Sequence, residues 1–287
     1  WGMVSNGLAM TPERYTKLLN AGLRSLTISL DGLKESHNHF RGAPTSFDNA
    51  LRAIDMAAHT EGLTFDVMTC VNRENLKELP KILDILLKTG VKRWRIATVF
   101  PKGRAKDNPL FQLTNQEFRQ VFDFIREVKK LNIINVNYGC EGFLGSYEKD
   151  ARNYPFFCRA GVNVSSVLCD GSISACPSLR GDYIQGNIYK DDLWDVWQNR
   201  YQVMHDRSWA KIGDCKTCKY WRYCEGSSLH LRDEKNKELA YCHVKRLEDA
   251  GAENNSFAAR AVIIQKKPCP ASRTRRFPTG FPAGARA

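Results

Sequence analysis

Apolar residues occur along the first half of the chain in two alternating patterns, short continuous runs and runs with helical spacing. The short runs predict strands in WGMVSNG, LRSLTISLDG, LTFDVMTCVN, VKRWRIATVF and INVNYG. The helical runs predict helices in TPERYTKLLNAG, SFDNALRAIDMAAHT, LKELPKILDILLKTG and TNQEFRQVFDFIREVKKL, with a loop through HNHFRGAPT. Such alternation predicts parallel strands covered by helices, hence an α/β sheet or part of a (β/α) barrel, because the units are too few for a barrel of eight.

Local signals mark the ends of the first predicted helix. Thr11 is a suitable N-cap, Pro12 occupies the first helical position, and Gly22 stops the helix. The third helical run is predicted as a helix despite Pro80. The local signals therefore agree with the periodicity.

Polar or glycine-containing loops follow four of the predicted strands. They are SNG (Ser5, Asn6, Gly7), SLDG (Ser29 to Gly32), CVNREN (Cys70 to Asn75) and FPKGRA (Phe100 to Ala105). Because ligands bind at the carboxyl ends of parallel strands, these loops predict a binding site at one rim of the sheet. Each loop alone equally suits a turn, since Asn-Gly and Asp-Gly are turn formers.

The pattern of the chain changes near Gly139. Beyond it helical spacing weakens, and VSSVLCDGSISAC predicts a hairpin that turns at Asp170-Gly171. Nine of the ten cysteines lie from Cys140 onward. We therefore predict a domain boundary between residues 140 and 157, with domains 1–139 and 140–250 followed by a tail, 251–287.

The net charge of +12 is unevenly distributed. Seven Lys or Arg and no Asp or Glu lie between Asn255 and Ala287, which leaves about +5 for the rest. This Pro-, Gly- and Arg-rich tail is predicted to be disordered, and a basic tail suits either a solvated end or contact with RNA. Aromatic and basic residues are not interleaved along one face, which argues against a nucleic-acid partner.

The chain lacks the sequence signs of a membrane or secreted protein. No run approaches the apolar length of a membrane span, and the first residues lack the basic-then-apolar pattern of a signal peptide. These features predict a cytoplasmic protein without a membrane partner. Because the chain starts at Trp1 rather than at Met, it also looks like a fragment of a longer protein.

Six cysteines form a spaced array. They are Cys158, Cys176, Cys215, Cys218, Cys224 and Cys242, with Gly171 four residues before Cys176. A Cys-x2-Cys step aims two thiolates at one centre, and more distant cysteines complete the coordination shell. From the residues alone, an iron–sulfur cluster, a zinc ion or, in an oxidising compartment, disulfides remain open. Cys70, at a strand end, is predicted to act as a small buried apolar residue, and Cys269 to have no role.

The cysteine array resembles the SPASM domain of radical S-adenosylmethionine (AdoMet) enzymes, whose pattern is Cys-x(9–15)-Gly-x4-Cys, Cys-x2-Cys-x5-Cys-x3-Cys and a final Cys. The first half of the chain resembles the later strands of the radical-SAM barrel. The motifs that carry this resemblance are, in order, SNG, TISLDG, the following His and RG, SF, ALRAI and PKGRA. The resemblance covers about residues 1–250. It implies a partial (β/α) TIM-like barrel in residues 1–139 and a small Cys-rich SPASM iron–sulfur domain in residues 140–250.

The resemblance also implies residue roles. Cys215, Cys218, Cys224 and Cys242 match the ligands of one auxiliary [4Fe-4S] cluster, and Cys158 and Cys176 match ligands of another. The family's further cysteine is replaced by Ser228, which puts that other cluster in doubt, with Cys140 or Cys169 as substitutes. Contacts to AdoMet are implied for Ser5, Asn6, Ser29, Asp31, Arg41, Asn72 and Gly103.

Two family motifs are missing from this chain. It contains neither the Cys-x3-Cys-x2-Cys loop of the catalytic cluster nor the Gly-Gly-Glu-Pro stretch that grips the AdoMet amine. The resemblance therefore implies an iron–sulfur oxidoreductase or peptide/cofactor maturase whose present chain does not cleave AdoMet alone. Its expected partners are a substrate peptide or cofactor precursor and an external electron donor. The alternative is a zinc-stabilised binding module whose basic tail contacts nucleic acid.

Overall fold

The computed structural model describes residues 1–139, 141–179, 181–233 and 235–252. Its first part is a five-stranded parallel sheet whose strands follow one another in chain order. The strands are β1 Gly2–Ser5, β2 Ser25–Ser29, β3 Thr64–Val71, β4 Arg93–Thr98 and β5 Asn135–Tyr138. Consecutive parallel neighbours joined by helices are the arrangement of a partial (β/α) barrel, as the sequence predicted.

Helices connect the strands and bury one face of the sheet. They are α1 Pro12–Asn20, α2 Lys34–Arg41, α3 Ser46–Ala58, α4 Leu79–Lys88 and α5 Asn115–Leu131. Leu26 and Ile28 of β2, Trp94 of β4, and Phe118 of α5 are fully buried in this layer. The opposite face is polar: Arg95 there bonds Thr27 at 3.0 Å and Asp66 at 2.8 Å. Apolar and polar positions alternate along the strands, which is why one face packs and the other remains open to ligands.

The helix ends follow the local signals of the sequence. Thr11 caps α1 by accepting a hydrogen bond from the Arg14 amide, and Thr114 and Glu117 form a capping box at the start of α5. Pro80 lies in the first turn of α4, where its missing N–H costs nothing. A short 3₁₀ turn, Leu76–Glu78, precedes that helix.

The predicted loop through HNHFRGAPT is wrong, because residues Lys34–Arg41 form the helix α2. The helix ends at Gly42, which adopts a left-handed φ of 64° that glycine favours. His37 is fully buried and accepts a 2.9 Å hydrogen bond from the Asp31 amide. This tertiary contact, which crosses from the loop after β2, stabilises a helix whose polar sequence gives little sign of it.

The second part is built from short elements. An antiparallel sheet contains β6 Ser166–Val167, β7 Ser172–Ser174 and β8 Ile184–Asn187. The helices are α6 Glu148–Ala151, α7 Leu193–Asn199, α8 Gln202–His205, α9 Trp221–Cys224 and α10 His243–Ala252. The predicted hairpin turn is confirmed, with Gly171 at a φ of 81° between β6 and β7. A separate core forms around Ile173, Tyr183 and Tyr201.

Helix α10 joins the two parts by packing on α5. Arg246 of α10 lies 4.1 Å above the Phe118 ring, and its Nη2 donates a 2.6 Å hydrogen bond to the Leu113 carbonyl. The described residues thus belong to one compact unit.

The predicted boundary near residue 140 stays a prediction. The tail beyond Ala252 lies outside the described residues, and no helix within them is long and apolar enough to cross a membrane.

Candidate functional site

Four predicted ligand cysteines line a single cavity of about 420 Å³. They are Cys215, Cys218, Cys224 and Cys242. All four are free and partly buried. Cys215 ends a 3₁₀ turn, Cys224 ends α9, and Cys242 immediately precedes α10. Turns and short helices, rather than strands, therefore gather thiols from residues far apart in the sequence.

With a volume of about 420 Å³, the cavity has room for a group larger than one ion. Within the described ranges, no three His, Cys, Asp or Glu side chains are arranged to hold a single metal ion. A four-iron cluster carries its cysteine ligands on separate irons, so those sulfurs stand farther apart than the ligands of one ion. Four thiols around one cavity are the donor set that such a cluster requires.

Burial favours the protonated form of two thiols of this cavity, Cys224 and Cys242. It raises the pKa of Cys224 to about 12, with Cys242 the next largest contributor. Burial also raises the pKa of Cys242, where the Lys245 and Val244 amides oppose it. Ligation requires thiolates, so binding of a cluster would release protons from these side chains.

A buried arginine contacts one of the four sulfurs. The Arg232 guanidinium is 1% exposed, and its Nη2 donates a 3.3 Å hydrogen bond to the Cys215 Sγ. Its other donors reach the carbonyl oxygens of Gly226, Lys237 and Ala210 at 2.7–3.0 Å. A fixed positive charge therefore lies against the predicted ligand set.

Aromatic side chains flank the cavity. Tyr220 and Trp221 line it, and Phe143 packs against Tyr220 with ring centroids 5.9 Å apart. Tyr223 stacks on Phe143 at an interplanar angle of 18° but is 59% exposed. The aromatic residues thus cover part of the cavity and leave another part accessible to solvent.

The structure brings the second predicted pair, Cys158 and Cys176, against one apolar core. Both are partly buried and pack on the cluster that contains Ile173 and Leu229. Ser228, which replaces the family cysteine, is fully buried and adjoins Leu229. Cys169 is exposed, whereas Cys140 and Cys269 lie outside the described residues. Ligation by Cys158 and Cys176 stays a prediction.

At the sheet rim, Asp31 anchors an ion pair. Its Oδ2 accepts a 2.6 Å hydrogen bond from Arg41 Nε and forms an ion pair with Arg41 Nη2. Its Oδ1 accepts a 2.8 Å hydrogen bond from the Cys70 amide. Asp31 is fully buried, whereas the Arg41 side chain is 26% exposed. Asp31 therefore positions Arg41, and Arg41 presents the accessible polar surface.

Two residues that the sequence analysis quotes without assigning a role order this rim. His37 and Asn75 both lie against Asp31, and Asn75 Nδ2 donates to the carbonyl oxygens of Asp31 and Cys70 at 2.6 Å and 2.9 Å. Burial lowers the pKa of His37, which keeps its ring neutral and able to accept from the Asp31 amide. Only these tertiary contacts show the roles of His37 and Asn75, because Asn and His are ordinary loop residues in a sequence.

The remaining rim residues differ in their accessibility. Asn72 is 1% exposed, and its Oδ1 accepts from the amides of Glu74 and Asn75, which makes it a turn residue. Ser5 Oγ accepts from the Gly7 amide, and the exposed Asn6 accepts from the Leu8 amide. Ser29 is partly buried at the end of β2.

Gly103 lies in the last of the four rim loops. It has a φ of 57° and starts the 3₁₀ turn Gly103–Ala105. No atom lies within 4 Å of the position that a Cβ would occupy there. Space beside its backbone is therefore open, as the predicted ligand contact requires.

A buried acid connects the barrel with the Cys242 segment. Glu141 accepts from the Thr98 amide and hydroxyl at the end of β4 and from the Tyr138 hydroxyl at the end of β5. Tyr138 Oη lies 3.4 Å from Nε2 of His243, the residue after Cys242. Burial raises the pKa of Glu141, and the hydrogen bonds from Tyr138 and Thr98 oppose that shift.

Cys70 lies at the end of β3, and its thiol has a raised pKa. Burial, followed by the Asp31 carboxylate, raises its pKa to about 12. The side chain is only partly covered, and its amide donates to Asp31. It therefore suits the predicted role of an unreactive strand residue.

Two family models match the chain. The Radical SAM superfamily model matches residues 1–86, and the iron–sulfur cluster-binding SPASM domain model matches residues 158–219. These segments of 86 and 62 residues make up a little over half of the 287 residues. Their order along the chain is the order of the two parts of the fold.

Curated relatives match at about a quarter identity. The AdoMet-dependent heme synthase of Methanosarcina barkeri is 25% identical over 246 residues, covering 78% of this chain and 68% of that protein. The mycofactocin maturase MftC of Mycolicibacterium smegmatis is 26% identical over 229 residues, covering 78% of this chain and 57% of that protein. This chain thus spans well under the full length of either relative.

Solved structures share the fold. Native anSMEcpe with bound AdoMet and a Cp18Cys peptide matches with a TM-score of 0.63 and 19% identity, over 87% of this chain and 72% of that one. Streptococcus suis SuiB bound to the precursor peptide SuiA matches with a TM-score of 0.57 and 16% identity, over 80% and 54%. The partial barrel, the cysteine cavity and the two family matches agree: this chain belongs to the radical SAM superfamily and carries an iron–sulfur cluster-binding SPASM domain.

Proposed function

We propose that this chain supplies the AdoMet-binding rim and the auxiliary-cluster domain of a radical SAM maturase that modifies a peptide or a cofactor precursor. The observation that carries the proposal is the convergence of Cys215, Cys218, Cys224 and Cys242 on one cavity. The family matches support the enzyme class. The two substrate classes come from relatives and neighbours whose names specify heme, mycofactocin and a precursor peptide.

The cysteine cavity would hold a [4Fe-4S] cluster through its four thiolates. When bound, such a cluster gains and loses single electrons. The chain's own residues provide the ligands, exclude part of the solvent with Tyr220 and Trp221, and place the Arg232 charge beside one sulfur. An external electron donor would reach the cluster from the open side of the cavity.

The rim would bind AdoMet through Arg41 and Ser29. Two guanidinium nitrogens of Arg41 are occupied by Asp31, which fixes the plane of the group. The exposed remainder suits a ligand carboxylate, and the Ser29 hydroxyl at the end of β2 suits the ribose. The proposed edge also contains Ser5, Asn6 and the backbone at Gly103. Asp31 acts through Arg41, and Asn72 acts by holding its turn.

A cavity of about 780 Å³ lies at the amino ends of the strands, where Ser25, Thr64, Arg93 and Asn135 line it. It is at the opposite end of the sheet from the rim, and the substrate is expected at the rim, because ligands bind at the carboxyl ends of parallel strands. A binding experiment with a peptide and a carboxylated cofactor precursor would decide between the two substrate classes.

The test of the proposal is anaerobic reconstitution of the whole chain with iron and sulfide. We expect a brown protein with about four irons per chain, and loss of that iron in Cys218→Ala. Cys70→Ala is the matched control, because Cys70 is a free cysteine of β3 that lies outside the cavity. One tightly held zinc without charge-transfer absorption would reject the proposal and favour the zinc-stabilised module.

The activity of this chain can be tested separately. Residues 1–287 contain no Cys-x3-Cys-x2-Cys motif, so we expect the chain alone to bind AdoMet without cleaving it. Equilibrium dialysis should detect binding that Arg41→Ala weakens at least tenfold and Lys34→Ala leaves unchanged. Equal binding by the two variants would remove Arg41 from the proposed site.

A further inference from the structure

We propose that Arg232 is a tuning residue that raises the reduction potential of the cluster held by Cys215, an inference that rests on the proposed function. The contact that carries it is the 3.3 Å hydrogen bond from Arg232 Nη2 to Cys215 Sγ. Hydrogen bonds to ligand sulfurs are among the main determinants of iron–sulfur potentials. Arg232 touches the cluster only through its ligand.

The charge of Arg232 requires an anion that the described polypeptide does not provide. Its side chain is 1% exposed, and its bonds within the described ranges reach three carbonyl oxygens and the Cys215 sulfur, with no carboxylate. An unpaired buried charge is costly, and a nearby opposite charge offsets that cost. Four thiolates around a bound cluster would supply that negative charge, and the sulfur of one of them, Cys215, already accepts a hydrogen bond from Arg232.

The surroundings hold Arg232 in place. Gly226 has a φ of 79°, and a Cβ at that position would lie 2.5 Å from Arg232 Nη2. The guanidinium carbon also lies 5.8 Å from the centre of the Trp209 ring. The missing side chain of Gly226 thus leaves room for the guanidinium, and the Trp209 ring packs near it.

The sign of the effect follows from charge. Reduction adds one electron and no proton to the bound cluster, so the cluster becomes more negative. A fixed cation nearby stabilises the reduced form more than the oxidised form, and burial strengthens that interaction. The potential is therefore higher with Arg232 than without it.

The experiment is an electron-paramagnetic-resonance redox titration of the reconstituted whole chain and of Arg232→Met. We expect the ratio of reduced to oxidised cluster at a fixed potential to fall at least tenfold, a shift of about 59 mV for a one-electron couple. Arg207→Met is the matched control. Arg207 is another buried arginine, and its hydrogen bonds go to the Ser227 and Met204 carbonyls rather than to a sulfur.

The outcomes separate this inference from the proposed function. If the unaltered chain takes up no iron and sulfide, the proposed function fails first. If Arg232→Met binds a full cluster at the unaltered potential, the tuning role is overturned although the cluster site stands. An equal shift in Arg207→Met would also overturn it, because the effect would then reflect loss of any buried arginine.

Two further variants cover failure of Arg232→Met to bind a cluster. Arg232→Lys keeps the charge, whereas Arg232→Gln keeps a donor and loses the charge. A ratio of reduced to oxidised cluster, at a fixed potential, that is at least tenfold lower in the Gln variant than in the Lys variant supports the tuning role of Arg232. Loss of the cluster in the Met and Gln variants but not in the Lys variant supports it as well. Equal reduction potentials in the Lys and Gln variants would make Arg232 a purely structural residue. Loss of the fold in the Lys variant as well as in the neutral variants would lead to the same conclusion.

Discussion

Asp31 and Arg41 are joined by a two-point ion pair that is buried at Asp31 and partly exposed at Arg41. Arg41 Nε donates a 2.6 Å hydrogen bond to Asp31 Oδ2, and Arg41 Nη2 forms an ion pair with the same oxygen. Helix α2 makes this contact possible, because its turns bring the end of the helix back over the rim. The pair holds the Arg41 guanidinium in one orientation, in which its exposed part can contact a ligand.

Asp31→Asn should lower the free energy of unfolding by about 1–3 kcal/mol, because the buried side chain loses its charge-assisted hydrogen bonds while Arg41 stays partly solvated. The same variant should weaken AdoMet binding by releasing Arg41. Urea unfolding and equilibrium dialysis measure the two effects. Lys34→Ala is the control, since Lys34 and Asp48 form an exposed pair worth about 0–1 kcal/mol. Equal losses in both variants would contradict the proposed importance of the buried pair.

Gly226→Ala should destabilise the SPASM domain more than Gly213→Ala does. Both glycines have positive φ, 79° and 51°, so each substitution carries about 1–2 kcal/mol of backbone strain. Only at Gly226 would the new methyl collide with Arg232, whereas nothing lies within 4 Å at Gly213. Urea unfolding of the two variants isolates the steric part. Identical values would mean that Arg232 moves aside without cost.

The stability of the chain should fall as pH drops below about 6.5, the ordinary pKa of histidine. Burial lowers the pKa of His37, and that of His230 to about 4, so the unfolded chain binds protons that the folded chain excludes. This stability is present above the unfolded pKa and is lost as pH falls towards the folded values. We expect His37→Gln to reduce the slope of unfolding free energy between about pH 7.5 and 5.5.

His59→Gln is the control for that slope, because His59 is exposed. It should retain the pH dependence of the unaltered chain. A slope unaffected by His37→Gln would show that the buried ring does not contribute to the proton linkage.

Ser228→Cys should test whether a missing cysteine limits the other auxiliary cluster. Ser228 is fully buried beside the core that Cys158 and Cys176 contact. If those cysteines are ligands, the variant should raise iron after reconstitution from about four to about eight per chain. Ser227→Cys controls for an added buried thiol one residue away. Unchanged iron in Ser228→Cys would remove Ser228 from the ligand position.

Periodicity predicted the strands and most helices of the barrel well because local apolar spacing and capping residues agree there. Thr114 and Glu117, for example, form the capping box that begins α5. The failure at α2 has a different cause: its polar residues become a helix through the contact between His37 and the Asp31 amide. Local sequence does not contain that contact.

The sequence alone determined the α/β order of the chain and, through cysteine spacing, the set of thiols that share one cavity. The spacing of a Cys-x2-Cys pair is local along the chain, so the pair is recognisable as a ligand pattern without the fold. Tertiary structure alone decided that Asp31 is enclosed, that Glu141 bridges β4 and β5, and that Arg232 touches Cys215. These roles arise from burial and from contacts between distant residues, and neither quantity exists until the chain has folded.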